Sequence, residues 1–266
     1  MYFQELDAYI RKIGGQTSER NSIELKDSID ITLLEYIPRV DLIKELRIST
    51  PKMKNHLAYF KNLNLQNLHV HEVDLSLEDV QTIGDFLELE SLYINTCHFP
   101  EDVQTLGDFT ELESLYINAC NFPEDFVKEL KDFKKLKNIA IEGSNLTDEN
   151  ILEICENPNL DCVSLGENNI TEKGLEGLSS LKQLSRLSIK DCGMQIENLF
   201  DILVQCPQLR YLNISGNVFT ENAHQKIKQL AILEDFNQLV MSRKDVPLRE
   251  LRDIKNALPN VGSFDF

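Results

Sequence analysis

Apolar residues recur along this chain with two alternating periods. A short stretch of period two, such as Leu92-x-Ile94, is followed by a longer stretch with apolar residues three and four apart, such as Ile196, Leu199, Phe200 and Leu203. The first pattern predicts a strand with one buried face, and the second a helix buried along one stripe. The alternation is a true repeat. Leu87–Asp102 and Thr110–Asp125 match at 13 of 16 positions, and Asp79–Phe86 matches Asp102–Phe109 at seven of eight. One copy reads Leu89-x-x-Leu92-x-Ile94-x-x-Cys97-x-Phe99, and the next Leu112-x-x-Leu115-x-Ile117-x-x-Cys120-x-Phe122. Copies start at 20, 43, 65, 89, 112, 136, 160, 184, 209 and 233, a spacing of 22 to 25 residues.

The physics of one unit follows from this pattern. The strand buries its leucine face, and the Asn or Cys position buries a side chain where the chain turns. Asn can bond the backbone groups freed there. Val103, Leu106 and Phe109 predict an inward helical face, as do Ile196, Leu199, Phe200 and Leu203. Thr147 and Thr171 stand at N-cap positions, and Pro100 and Pro123 at first helical positions. No unit can bury its own apolar face, so units stack into a solenoid whose parallel strands line the concave side. The ends then need covers. Phe3, Leu6, Tyr9, Ile10 and Ile13, stopped by Gly14-Gly15, predict a covering helix at one end. Pro247, Leu248, Leu251 and Ile254 predict one at the other, leading to Leu258-Pro259-Asn260-Val261, a truncated repeat start that closes the core.

The pattern Leu-x-x-Leu-x-Leu-x-x-Asn/Cys-x-Leu, held in register through eight good copies, resembles the leucine-rich repeat over nearly the whole chain. It is most similar to the short intracellular and ribonuclease-inhibitor-like repeats of about 24 residues. The resemblance implies an α/β fold: a right-handed horseshoe with a parallel concave sheet and a helical convex side. It forms a single domain with an N-terminal cap over 1–19, repeats over 20–245 and a C-terminal cap over 246–266. It also implies a non-enzymatic scaffold that binds a protein partner.

Charge narrows the partner. Lys and Arg number 27 and Asp and Glu 44, a formal charge of −17. That argues against nucleic acid and against an anionic membrane surface, since both require a basic face. No run of 18 apolar residues spans a membrane, and the N-terminus lacks the features of a signal peptide. Six cysteines are too sparse for a disulfide framework and point to a reducing, cytoplasmic compartment. Catalytic and nucleotide-binding motifs are absent, so no catalytic residue, cofactor or metal is expected.

Three groups of residues merit individual reading. His69 and His71 point to one face but lack a plausible third zinc ligand on the flanking strands. Cys97, Cys120 and Cys192 are expected as buried ladder residues, Cys97 and Cys120 being close enough for a conceivable disulfide. Cys155 and Cys206 read as core. Cys162 is the best candidate for an exposed thiol, without a neighbouring base.

The candidate site is the concave face. One outward column runs Glu24, Arg47, His69, Tyr93, Tyr116, Ala140, Ser164, Ser188 and Asn213; two residues on, a second includes Ser49, His71, Asn95 and Asn118. Tyr and Arg carry much interface energy. Arg47, His69, His71, Tyr93, Asn95, Tyr116 and Asn118 therefore form the expected partner-binding stripe. The competing reading is that tyrosine suits exposed strands and was copied by duplication. From Asn62 to Val127 there is no Lys or Arg and there are 14 acids. Glu101, Asp102, Glu124 and Asp125 suit helix starts, whereas Glu88, Glu90, Glu111 and Glu113 at strand starts have no structural reason visible in the sequence. They predict a solvated acidic rim, or one that steers a basic partner. A monomer is expected. Two further readings come from the resemblance: a regulator such as a GTPase activator, and a bacterial effector acting in host cytosol, which the near-identical tandem copies also suggest.

Overall fold

The computed structural model describes residues 3–18, 21–36, 43–101, 103, 106–107, 109–122, 125–220, 222–242 and 246–265. Arg20, Asp102, Pro123 and Glu124, which carry expectations above, lie outside them. The chain divides into two compact units, residues 1–129 with 133–136, and residues 130–132 with 137–266.

Unit 1 begins with helix α1 (Phe3–Lys12), whose Leu6 and Ile10 are fully buried, as is Ile13 just beyond it. Strand β1 (Gln16–Ser18) then runs antiparallel to β2 (Ser22–Leu25). From β2 onward every strand is parallel to its neighbour: β3 (Glu45–Ser49), β4 (Asn67–His71), helix α2 (Leu77–Gly84), β5 (Ser91–Asn95) and β6 (Ser114–Asn118), followed by α3 (Phe126–Glu129). Each full strand alternates a buried leucine or isoleucine with partly exposed residues, as Leu92 and Ile94 do in β5.

Unit 2 repeats the plan. It contains β7 (Asn138–Glu142), α4 (Asp148–Ile154), β8 (Cys162–Ser164), α5 (Glu172–Leu175), β9 (Arg186–Ser188), β10 (Gln195–Ile196), α6 (Leu199–Leu203), β11 (Tyr211–Asn213), β12 (Val218–Phe219), α7 (Ala223–Lys226), β13 (Gln238–Val240), α8 (Leu248–Ala257) and β14 (Ser263–Asp265). Strands β7, β8, β9, β11, β13 and β14 pair in that order, all parallel. Strands β10 and β12 form a small separate parallel pair. Leu251 and Ile254 of α8 are buried, with Leu258 and Val261 after it. The chain then adds β14 to the sheet, with Phe264 paired to the pattern residue Leu239.

The core is the row of pattern residues. Leu46, Leu68, Leu92 and Leu115 are wholly inaccessible, as are Leu187 and Leu212 in unit 2. Full burial of such a side chain contributes about 1.5–3 kcal/mol, and the row supplies one to each repeat.

Side-chain caps start three of the return-segment helices. Ser76 caps α2: its hydroxyl accepts from the Asp79 N–H at 3.1 Å, and the Asp79 carboxylate accepts from the Ser76 N–H at 3.0 Å. Thr147 makes the same reciprocal pair with Asn150 at the start of α4, and Thr171 caps α5. The segment after β5 is nearly identical to α2 in sequence, yet its described residues are not helical, contrary to the placement of Pro100 at a first helical position. Phe99 stands where Ser76 stands one repeat earlier, and phenylalanine has no oxygen to accept from the first N–H groups. Val103, Leu106 and Phe109 are nonetheless buried, as the apolar spacing predicts. Ile196, expected on a helical face, is buried from strand β10 instead.

Gly84 and Gly107 allow these two return segments to touch backbone to backbone. Gly107 has φ +117°, and a Cβ there would lie 2.5 Å from the Gly84 Cα. Gly107→Ala is therefore expected to destabilise unit 1 by about 2 kcal/mol through overpacking and backbone strain. A urea midpoint equal to wild type would refute this.

Candidate functional site

The predicted stripe is a set of directly paired positions. Arg47 pairs with His69, His69 with Tyr93 and Tyr93 with Tyr116 across β3, β4, β5 and β6. In the second column His71 pairs with Asn95 and Asn95 with Asn118. All seven line one open depression of about 330 Å3 on the sheet face of unit 1. Parallel, in-register strands place equivalent residues one strand spacing apart, about 4.8 Å, which is close to the thickness of two aromatic rings in contact.

The rings use that spacing. His69 stacks on Tyr93 with centroids 4.2 Å apart and planes 6° from parallel. Tyr93 stacks on Tyr116 at 4.5 Å and 1°. Tyr93 is thus held between two rings, its orientation settled before any partner arrives. Both tyrosines remain partly exposed. Burial raises the Tyr93 phenol above its ordinary value, with the Tyr116 phenol adding to the shift. It is therefore a neutral hydroxyl at physiological pH.

Charge around the stack is internally balanced. Arg47 Nε donates to Glu45 Oε1 at 2.5 Å, and His69 Nε2 lies 3.4 Å from the same oxygen. Burial lowers the His69 pKa, the Arg47 guanidinium lowers it further, and Glu45 opposes both. His69 is accordingly a neutral ring in the stack at pH 7. His71 Nε2 lies 3.2 Å from Glu72 Oε1, while its Nδ1 is buried and without a hydrogen-bond partner. Among the described residues no group of three or more His, Cys, Asp or Glu could hold a metal ion.

The strand-start acids have structural partners, which the sequence reading did not find. Lys44 reaches Glu88 at 3.5 Å, Gln66 donates to Glu90 at 3.0 Å, and Lys135 pairs with Glu111. That hydrogen bond with Glu111 raises the Lys135 pKa, aided by Glu113 and Glu90 nearby. Two lysines flanking the basic-free stretch thus reach into it. Exposed pairs of this kind contribute little to stability.

The cysteines follow the ladder with one exception. Cys97 and Cys120 are buried thiols; Cys120 Sγ accepts from the Cys97 N–H at 3.3 Å, and the two are not disulfide-bonded. Cys155 and Cys206 are core, and burial pushes their thiols up to about 12 and about 11. Cys192, expected to be buried, is only half-buried. Cys162 is also half-buried; burial raises its pKa while neighbouring Arg186 acts against the shift.

One group of outward residues was overlooked. Period two continues one pleat earlier, so Glu45, Asn67, Ser91 and Ser114 form a third column in unit 1, and Asn138, Cys162, Arg186 and Tyr211 one in unit 2. In it the Arg186 guanidinium lies over the Tyr211 ring, 4.3 Å from the centroid. The signal was available: Tyr211, Asn213 and Ser215 alternate with Leu212 and Ile214.

No protein-family model and no characterised protein matches the sequence. Solved structures do match. An internalin (inlF) from Listeria monocytogenes superposes with TM-score 0.50 at 17% identity, covering 99% of this chain and 94% of the internalin. The chain has the leucine-rich-repeat fold. A plant peptide hormone receptor, RGFR1, in complex with RGF2, superposes with TM-score 0.50 at 16% identity, over 76% of this chain and 33% of the receptor. With this fold the chain has the α/β architecture that its periodicity implies. No described helix is long and apolar enough to cross a membrane.

Proposed function

We propose that this leucine-rich-repeat chain is a non-enzymatic binding protein that holds a protein partner on the sheet face of unit 1. The observation that carries this reading is the His69–Tyr93–Tyr116 stack, whose rings are oriented by each other and remain partly exposed. Aromatic side chains lose little conformational freedom on binding, and pre-stacked ones lose less. Asn95 and Asn118 beside them offer amide donors and acceptors. The receptor–peptide complex among the structural neighbours is consistent with a polypeptide ligand. The surrounding carboxylates favour a partner with a basic surface, through the rate of encounter more than through affinity.

The test is affinity capture with the wild-type chain and a Tyr93→Ala/Tyr116→Ala variant, followed by titration of the captured partner. The variant is expected to bind about 100-fold more weakly, corresponding to about 3 kcal/mol for two interface tyrosines. Unchanged affinity in a folded double variant would place the site elsewhere.

A further inference from the structure

Unit 2 carries a second depression on its sheet face, of about 310 Å3, unlike the first in chemistry. Its floor is polar, and its charges are all but one committed. Lys190 binds Glu142 at 3.3 Å and Glu167 at 3.1 Å. Glu142 also accepts from the Ser164 hydroxyl. Asn213 Oδ1 accepts from the backbone N–H and the hydroxyl of Ser215. Arg186 is exposed and forms no ion pair among the described residues, although acids outnumber bases 44 to 27 in this chain. It is held by Tyr211, whose ring covers one face of the guanidinium, with Cys162 at the paired position on the next strand.

Stacking of this kind leaves the edge of a guanidinium free and fixes its plane. An edge with two parallel N–H groups matches a carboxylate bidentately. The ring beneath restricts the side chain before binding, so little rotamer freedom is lost on contact. One uncommitted positive charge suits one negative charge, since the only other cation in the depression is already shared by two carboxylates. We infer that Arg186 on Tyr211 is a second recognition site, which binds the carboxylate side chain of an aspartate or glutamate presented by a protein partner.

The experiment is NMR titration of the Arg186 Nε–H resonance in the full chain, assigned by its loss in Arg186→Gln. The probes are N-acetylglutamate amide, its glutamine counterpart and N-acetylglycine. The acidic side-chain probe should move the resonance saturably, with a Kd on the order of 10 mM, and the glutamine probe should not. Tyr211→Leu should weaken binding about threefold by removing the cation–π contact. Tyr93→Ala/Tyr116→Ala should leave it unchanged, which separates this site from the stripe in unit 1. Absence of saturation, an equal response to glutamine, tighter binding of N-acetylglycine, or unaltered affinity in Tyr211→Leu would each overturn the assignment.

Discussion

Asp79→Ala is expected to lower the stability of unit 1 by about 5 kcal/mol, a larger loss than any leucine deletion in a single repeat. The carboxyl group of Asp79 is fully inaccessible to solvent. One oxygen accepts from the Leu57 N–H at 3.1 Å, and the other from the N–H groups of Asn55 at 2.7 Å and Ser76 at 3.0 Å. The Ser76 hydroxyl adds a fourth bond at 2.8 Å. Alanine would strand two backbone donors of the preceding repeat and break half of the α2 capping box. Each stranded buried donor costs about 1–3 kcal/mol, and a lost cap about 1. Asp79→Asn keeps one oxygen and should lose about half as much. Repeat arrays need not unfold in one step. The sharper readout is therefore hydrogen exchange at the Asn55 and Leu57 amides, which should accelerate before the rest of the unit does. Protection equal to wild type at both amides would show that Asp79 does not tie the repeats together.

Asn168→Ala should destabilise unit 2 by about 4 kcal/mol. The Asn168 amide is buried and serves five backbone groups. Its oxygen accepts from Ser144 and Leu146 at 3.0 and 3.1 Å, and its nitrogen donates to Ile141, Leu165 and Gly166 at 2.7, 2.9 and 3.1 Å. Cys97 and Cys120 fill the matching positions in unit 1 with a weaker donor, Sγ to carbonyl distances running from 3.1 to 3.6 Å. Asn168→Cys is accordingly expected to lose less than Asn168→Ala. Thermal unfolding of the two variants side by side checks the order, and an inverted order would mean that burial of volume, not hydrogen bonding, governs this position.

The side-by-side placement of the proposed stripe could be read from residues alone. Arg47, His69, Tyr93 and Tyr116 each sit one residue past a buried leucine, so a parallel sheet had to place them side by side. The same rule applied one pleat earlier yields Arg186 and Tyr211, which were passed over because the columns were begun too late in each strand. The pairing of Glu88, Glu90 and Glu111 was not legible, because Lys44, Gln66 and Lys135 are distant in sequence and long side chains choose among several neighbours.

Periodicity and duplication alone specify the stack of parallel strands, the inward leucines and the outward rows, because alternation along a strand is a local property of the backbone. The reciprocal caps of Ser76 with Asp79 and of Thr147 with Asn150 form only when the chain turns into each helix. The tight stacking of His69, Tyr93 and Tyr116, the reach of Asp79 into the preceding repeat and the uncommitted charge of Arg186 arise only in three dimensions. Each is settled by which groups come within bonding distance across repeats, and the linear order of residues does not encode that distance.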